Sequence, residues 1–397
     1  MKDRWNEGLP KGGDELDRLV HLSNRIGLEE SLVQPGGGNT SVKLRRTNAA
    51  GEDEEVLLVK GSGTDLKTIS RPGFTALSMK RLAGLRERGD MSDAEMMAFM
   101  RDCMQNAADP LPSVETPLHS LLPQRVIAHT HDVATMSLTN LEDTLAEKLV
   151  GELFEGEIFY VPYARPGFPL ARTVQELVAR IPAGALGLTL AHHGLVVWGD
   201  DARECYERML RVVGKVDDYV AAKKRGQRAR GRVRARAERD GEARRDRAER
   251  LLPVIRGALS ETDRVVLHFD DAPEILEWLG DARNEERSQR GMATPEHILR
   301  AGRLPLWLNV DFEQDEDALV DRARDALRAG RARYEEYHAR QRAADEEPLA
   351  DWAKVVLVPG LGMVTAFKDK KSAITANTCY RAVMASIENA EAIDAFR

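Results

Sequence analysis

Residues 125–132 read Arg-Val-Ile-Ala-His-Thr-His-Asp, and this stretch decides the fold class. An apolar, β-branched run ends in His129 and His131, two residues apart. In a strand such residues point to one face, so both imidazoles look the same way. Further on, LAHHGLVVWGDD (190–201) sets His192 and His193 at a turn before another apolar run. Upstream, ETPLH (115–119) carries Glu115 and His119, which share one face of a helix. A third imidazole from the later strand completes a three-histidine zinc site with its fourth position open, the arrangement catalytic zinc uses. A nearby carboxylate that is not a ligand is the natural proton carrier. Taken singly, His119 and His192 read as hydrogen-bonded structural histidines. The combination points to a divalent metal, with zinc favoured by imidazole ligation.

Around this set the periodicities alternate between helix and strand. Residues 14–33 have a helical pattern through Leu16, Leu19, Val20 and Leu22. Strands are expected at Ser41–Leu44 and Val56–Val59, a helix over 75–88, and another in MSDAEMMAFMRDCM with Ser92 as its cap. Ser113 is the expected cap of the helix holding Glu115. GEIFYVPYARPG is a strand with a turn, VQELVARI a helix, and LGLTLAHHGLVVWG a strand pair. The helix from DDARECYERM onward is expected to be capped by Asp200. Short strand–strand connections imply an α/β fold with a mainly antiparallel sheet.

Three segments follow: a catalytic domain over 1–225, a charged helical linker over 226–250, and an α/β region over 251–397. The arginine-rich linker has no interleaved aromatic residues, so it reads as a solvated helix and not as an RNA-binding patch. Two readings of 251–397 stay open. It is a degenerate, metal-free second copy, or an independent region whose strands and turns look alike. In the first reading RVVLHFDDAPE aligns with RVIAHTHDVAT, setting His268 beside His129 and Asp270 beside His131. HILRAGRLPL then aligns with VPYARPGFPL, and Leu361 stands where His193 does.

The net charge of -7 argues against a general nucleic-acid binder. Cys103, Cys205 and Cys379 are scattered and odd in number, which suggests a reducing compartment and no thiolate zinc site. No window reaches the ~18 apolar residues of a membrane span. The sequence therefore reads as a cytoplasmic protein without membrane partners.

Two glycine turns form a second constellation, GGGNTS (36–41) and KGSGTD (60–65). Such turns let successive N–H groups converge on an anion. Ser113 adds a donor beside Glu115. Neither turn has Walker A spacing.

Together these motifs resemble the class II aldolase/adducin family, over roughly residues 15–225. The matching elements are Gly38-Asn39 with Ser41, Ser62-Gly63, Ser113 with Glu115, the His129/His131 pair, and the HHG containing His193. The resemblance implies an α/β/α sandwich, zinc or another divalent ion on His129, His131 and His193, and Glu115 as catalytic acid/base. It implies phosphate contacts from Asn39, Ser41, Ser62, Gly63 and Ser113, with Lys60 adding a cation. It also implies a homo-oligomer, usually a fourfold ring, in which a neighbouring subunit supplies a proton donor; Tyr160 and Tyr163 are candidates. The C-terminal segments are similar to the aldolase half of bifunctional rhamnulose-1-phosphate aldolase/lactaldehyde dehydrogenase proteins. The implied activity is reversible, zinc-dependent cleavage of a ketose 1-phosphate to dihydroxyacetone phosphate and an aldehyde. GLGMVT (360–365) is not a Rossmann fingerprint, so no dehydrogenase activity is expected in this chain, and a separate aldehyde dehydrogenase is a possible partner. The alternatives are a sugar-phosphate epimerase or dehydratase on the same metal site, or a non-catalytic adducin-like binding module.

Overall fold

The computed structural model describes residues 1–48, 50–182, 184–229, 241–260, 264–312, 316–342 and 354–397. The chain divides into two compact units, Met1–Lys224 with Asn389–Ala395, and Arg225–Glu388 with Phe396–Arg397. Part of the charged linker, residues 230–240, lies outside the described residues. No described helix is long and apolar enough to cross a membrane.

The first unit is built on β1 (Asn39–Thr47), β2 (Asp53–Lys60), β3 (Phe74–Ser78), β4 (Val126–Thr130), β5 (Ile158–Val161), β6 (Gly187–Leu190) and β7 (Gly194–Gly199). They form one seven-stranded sheet in the order β3-β2-β1-β4-β7-β6-β5. Every pairing is antiparallel except β5 with β6, so the expected α/β fold with a mainly antiparallel sheet is found. The helix Thr116–Leu121 lies over β4: Leu118 and Leu121 pack in one cluster with Ile127, Val196 and Trp198. Each such buried side chain contributes about 2 kcal/mol through removal of apolar area from water. Because Ile127 and His129 are two apart, the face that anchors this helix also carries the imidazole.

Several local expectations are corrected. Residues 75–78 are strand, because FTALS pairs along β2; only Met79–Leu82 forms an α-helix there. Ser113 does not cap the helix that follows; Glu115 occupies the cap position without a side-chain cap bond. Asp201, not Asp200, accepts the first-turn bond of the long helix Ala202–Ala229, from the Glu204 N–H at 2.8 Å. Ser92 caps Asp93–Cys103 as expected, with Glu95 closing a capping box.

The second unit holds β8 (Val266–Asp270), β9 (Leu306–Trp307), β10 (Val355–Val358) and β11 (Gly362–Phe367), ordered β8-β11-β10-β9. Taking β8 for β4, β9 for β5, β10 for β6 and β11 for β7, this repeats the order β4-β7-β6-β5, with the same antiparallel and parallel senses. The register, however, is shifted. His129 pairs with Val196, two residues past Gly194, whereas His268 pairs with Thr365, three residues past Gly362. A one-residue slip turns side chains to the other face. By pairing, Phe269 and Asp271 take the places of His129 and His131. Leu267 and Phe269 accordingly pack on the core with Val356, Val358 and Val364. Asp270 bonds instead to Asn377 at 3.0 Å and Arg381 at 2.8 Å. The alignment of His268 with His129 is therefore corrected. So is that of HILRAG with VPYARPG, since residues 295–301 are helical and the counterpart of β5 is Leu306–Trp307.

Gly194 permits the close approach of β7 to β4: a Cβ there would lie 2.1 Å from the Thr130 carbonyl oxygen. Gly194→Ala is expected to destabilise the protein by about 2 kcal/mol or more. Gly214→Ala, where a Cβ meets nothing within 4 Å, serves as control. Thermal melting separates them; equal melting temperatures would contradict this account of the β4–β7 contact.

Candidate active site

β4 delivers His129, the residue just past its end is His131, and the turn into β7 delivers His193. Their ligand atoms lie within 4.8 Å of one another, and all three side chains are buried. His129 Nε2 and His131 Nε2 are 3.1 Å apart. Two nitrogens about 2.0–2.1 Å from one tetrahedral ion stand about 3.4 Å apart, so the rings need little movement to share a cation. The Nδ1–H of His129 donates to the Leu195 carbonyl at 2.9 Å, which leaves Nε2 for a metal. Burial pushes the His129 pKa down, which favours the neutral form that ligation needs. Among the described residues, this is the one group of three or more such side chains placed to hold a metal ion.

Glu115 faces the imidazoles. Its Oε1 is 3.2 Å from His193 Nε2, and its Oε2 is 3.5 Å from His129 Nε2. Burial pushes the Glu115 carboxyl up, the direction expected for a proton carrier. The imidazoles of His129, His193 and His131 outweigh it and hold the group well below the usual carboxylate range.

Alternation along β1 puts Asn39, Ser41 and Lys43 on one face, towards the helix that follows Glu115. Asn39 stands directly across from His129 in the β1–β4 register. Its Nδ2 donates to Glu115 Oε2 at 2.6 Å, and its Oδ1 accepts from His119 Nε2. The Ser41 hydroxyl lies 2.7 Å from His119 Nδ1 and is fully buried. In this structure Ser41 is a partner of His119, and the Asn39 amide bonds to Glu115 and His119. Lys43 was not singled out from the sequence. Its ammonium donates to the His119 and Gln124 carbonyls at 2.9 and 2.7 Å, and burial pushes its pKa down to about 7.

The two glycine turns meet each other beside Glu115. The Gly36 N–H donates to Asp65 at 2.9 Å, and Lys60 Nζ reaches the Gly36 carbonyl at 3.4 Å. The Ser113 N–H donates to the Lys60 carbonyl at 3.1 Å, which ties the second turn to the Glu115 segment. Ser62 and Gly63 are exposed there, and Ser113 is half-buried, so these three stay open to a ligand. The Tyr160 hydroxyl donates to Asp143 at 2.8 Å, while Tyr163 is 55% exposed and meets the His192 ring edge-on. His192 itself sits at φ 50° and bonds to Asn140 at 3.1 Å.

Two family descriptions match this chain. "Class II Aldolase and Adducin N-terminal domain" matches residues 17–214, and "Aldolase class II, second domain" matches residues 246–397. The chain belongs to the class II aldolase family. It is 32% identical over 389 residues to a Bacillus subtilis (strain 168) protein named "Uncharacterized oxidoreductase YuxG". That match covers 98% of this chain and 55% of the relative, so the chain spans about half of that protein's length. A methylthioribulose-1-phosphate dehydratase of Acidiphilium cryptum (strain JF-5) is 29% identical over 143 residues, 31% of this chain and 64% of the relative. Among solved structures, the N-terminal class II aldolase domain of a conserved Thermoplasma acidophilum protein is 35% identical. Its TM-score is 0.51, covering 55% of this chain and 99% of that one.

One further buried carboxyl sits beside the triad. Asp132 caps Val133–Thr139 through the Thr135 N–H at 2.7 Å, and burial pushes its pKa up to about 7. Its folded-state pKa lies above the unfolded value, so its stabilising contribution is complete below the unfolded pKa and is lost as pH rises towards 7. Asp132→Asn keeps the cap but cannot ionise. The melting-temperature advantage of the variant is expected to grow between about pH 4 and 7 and then level off. A constant difference across that range would refute the burial of a protonated carboxyl.

Proposed function

We propose that this class II aldolase reversibly cleaves a ketose 1-phosphate, of the rhamnulose 1-phosphate type, to dihydroxyacetone phosphate and an aldehyde. The observation that carries the reading is the buried Glu115 carboxylate, set against three converging imidazoles. His129, His131 and His193 would hold a divalent ion, zinc being the best fit to an all-nitrogen set. When bound, that ion supplies Lewis acidity at the substrate carbonyl.

The chain's own residues do the rest. Glu115 takes a proton from, and returns it to, the carbon beside the carbonyl, through Oε1. Asn39 holds the other oxygen. Ser62, Gly63 and Ser113 grip the phosphate by N–H and hydroxyl donation, which fixes the reacting carbon relative to Glu115. Tyr163 is better placed than Tyr160 to protonate the aldehyde oxygen of a neighbouring subunit in a fourfold assembly, since its ring is exposed and the Tyr160 hydroxyl is spent on Asp143.

A dehydratase is the second reading, favoured by the partial likeness to the methylthioribulose-1-phosphate enzyme. It uses the same proton abstraction but loses water without breaking a carbon–carbon bond. A screen of ketose 1-phosphates and free ketoses, with and without chelator, separates the two. A three-carbon phosphate product supports the aldolase, whereas a dehydrated product of unchanged carbon number supports the dehydratase.

Glu115→Gln is expected to keep its metal by elemental analysis and to lose turnover by about 10²–10⁴-fold. Normal turnover in that variant would remove Glu115 from the mechanism. Chelation of the unmodified protein should abolish activity, and added zinc should restore it.

A further inference from the structure

We propose that His119 is a positioning residue that aims Glu115 through the Asn39 side chain. The proposal rests on the reading of Glu115 as the proton carrier. It assigns a task to a histidine that spacing alone marks as structural.

The hydrogen bonds form one directed chain. Asn39 Nδ2 donates to Glu115 Oε2 at 2.6 Å. Asn39 Oδ1 must then accept, so His119 Nε2 carries the hydrogen in their contact. Burial holds His119 neutral, with its pKa pushed down to about 3. Its Nδ1 is therefore an acceptor, and the Ser41 hydroxyl 2.7 Å away is the donor. Asn39, Ser41, His119 and Glu115 are 2%, 0%, 0% and 6% exposed, so water has little room to replace any link.

This polarity has a consequence for the carboxylate. An amide can be turned end for end with little change in shape, and a carboxylate rotates over a broad two-fold well. If Asn39 were flipped, its oxygen would oppose the Glu115 carboxylate and its NH₂ would oppose the imidazole N–H. The Glu115 carboxylate disfavours that state from one side, and the Nε2–H form of His119 disfavours it from the other. Both oxygens lie against the imidazoles, but with the amide fixed only Oε2 takes the Asn39 hydrogen, and Oε1, 3.2 Å from His193 Nε2, is left without that donor. His119 itself is held from behind, since Lys43 donates to its backbone carbonyl at 2.9 Å.

A histidine serving only the core can be satisfied by backbone, as His21 is by the Trp5 carbonyl at 2.6 Å. His119 instead spends both ring nitrogens on side chains of β1. The signal was in the sequence as two patterns, polar residues at 39, 41 and 43 on one strand face, and Glu115 with His119 on one helix.

The test compares Glu115→Gln, His119→Phe, His119→Gln and the Glu115→Gln/His119→Phe double variant, all loaded with zinc. The assay follows exchange of the carbon-bound hydrogen of dihydroxyacetone phosphate in deuterated water. His119→Phe is expected to slow exchange roughly 10–100-fold, with melting temperature and metal content recorded alongside. His119→Gln, whose amide can still donate to Asn39, is expected to recover most of the rate. The double variant should be no slower than Glu115→Gln, because His119 acts through Glu115 and through nothing else. Independently of activity, ¹⁵N spectra of the metal-free protein should show His119 as an Nε2–H imidazole that does not titrate near neutral pH.

Full exchange in His119→Phe alongside an inactive Glu115→Gln would overturn the proposal and leave the Glu115 reading standing. So would equal losses in His119→Phe and His119→Gln, a double variant slower than Glu115→Gln, or an Nδ1–H tautomer. Full exchange in Glu115→Gln, or none in the unmodified protein, would remove the Glu115 reading and this inference with it.

Discussion

The contact between β4 and β7 is the constraint on which the site depends. At Gly194 the backbone of one strand runs against the Thr130 carbonyl of the other, with no space for a side chain. That approach sets His193, one residue earlier, against His129 of β4 and His131 just beyond it. The same strands carry the apolar cluster that seats the helix following Glu115. Ligands and carboxylate therefore sit in, or within one residue of, strands and a helix that share one core. Close-packed interiors allow little independent movement, which suits a site whose geometry must be ready before substrate arrives.

Burying so many polar groups is costly, and the surroundings show how the cost is met. Glu115 lies among three imidazoles and accepts from Asn39. Lys43 has two backbone carbonyls. Asp132 accepts from a helix N-terminus and from Thr130. Unpaired, such groups would each cost several kcal/mol. Their concentration around one corner of the sheet, with Asp132 pushed up and Lys43 pushed down by burial while the imidazoles hold Glu115 down, is the kind of clustering that functional sites favour.

Much of this was legible in the letters. The strand holding His129 and His131, the turn holding His193, the glycine turns and the mainly antiparallel sheet all follow from period-two alternation and turn chemistry. The rest depended on neighbours that sequence does not name. Asn39 and Ser41 read as donors to an incoming anion; that strand register sets them across from His129 and Ile127, with hydrogen bonds to Glu115 and His119, was not legible. Lys43 gave no local sign of burial. Residues 75–78 fall within an expected helix over 75–88, and their pairing with β2 makes them strand. The Asp200/Asp201 cap was a choice between adjacent acids that only backbone geometry decides.

The second sheet separates likeness of letters from likeness of place. Its strand order follows half of the first sheet, yet β8 is offset by one residue against β11. The histidine that aligns best, His268, looks away from the face that would correspond to a metal centre, and a phenylalanine stands where an imidazole would be needed. Anyone wishing to graft a cation-binding trio onto this half of the molecule would have to choose positions 269, 271 and 361. A design drawn from the written alignment would scatter its ligands on both sides of the sheet.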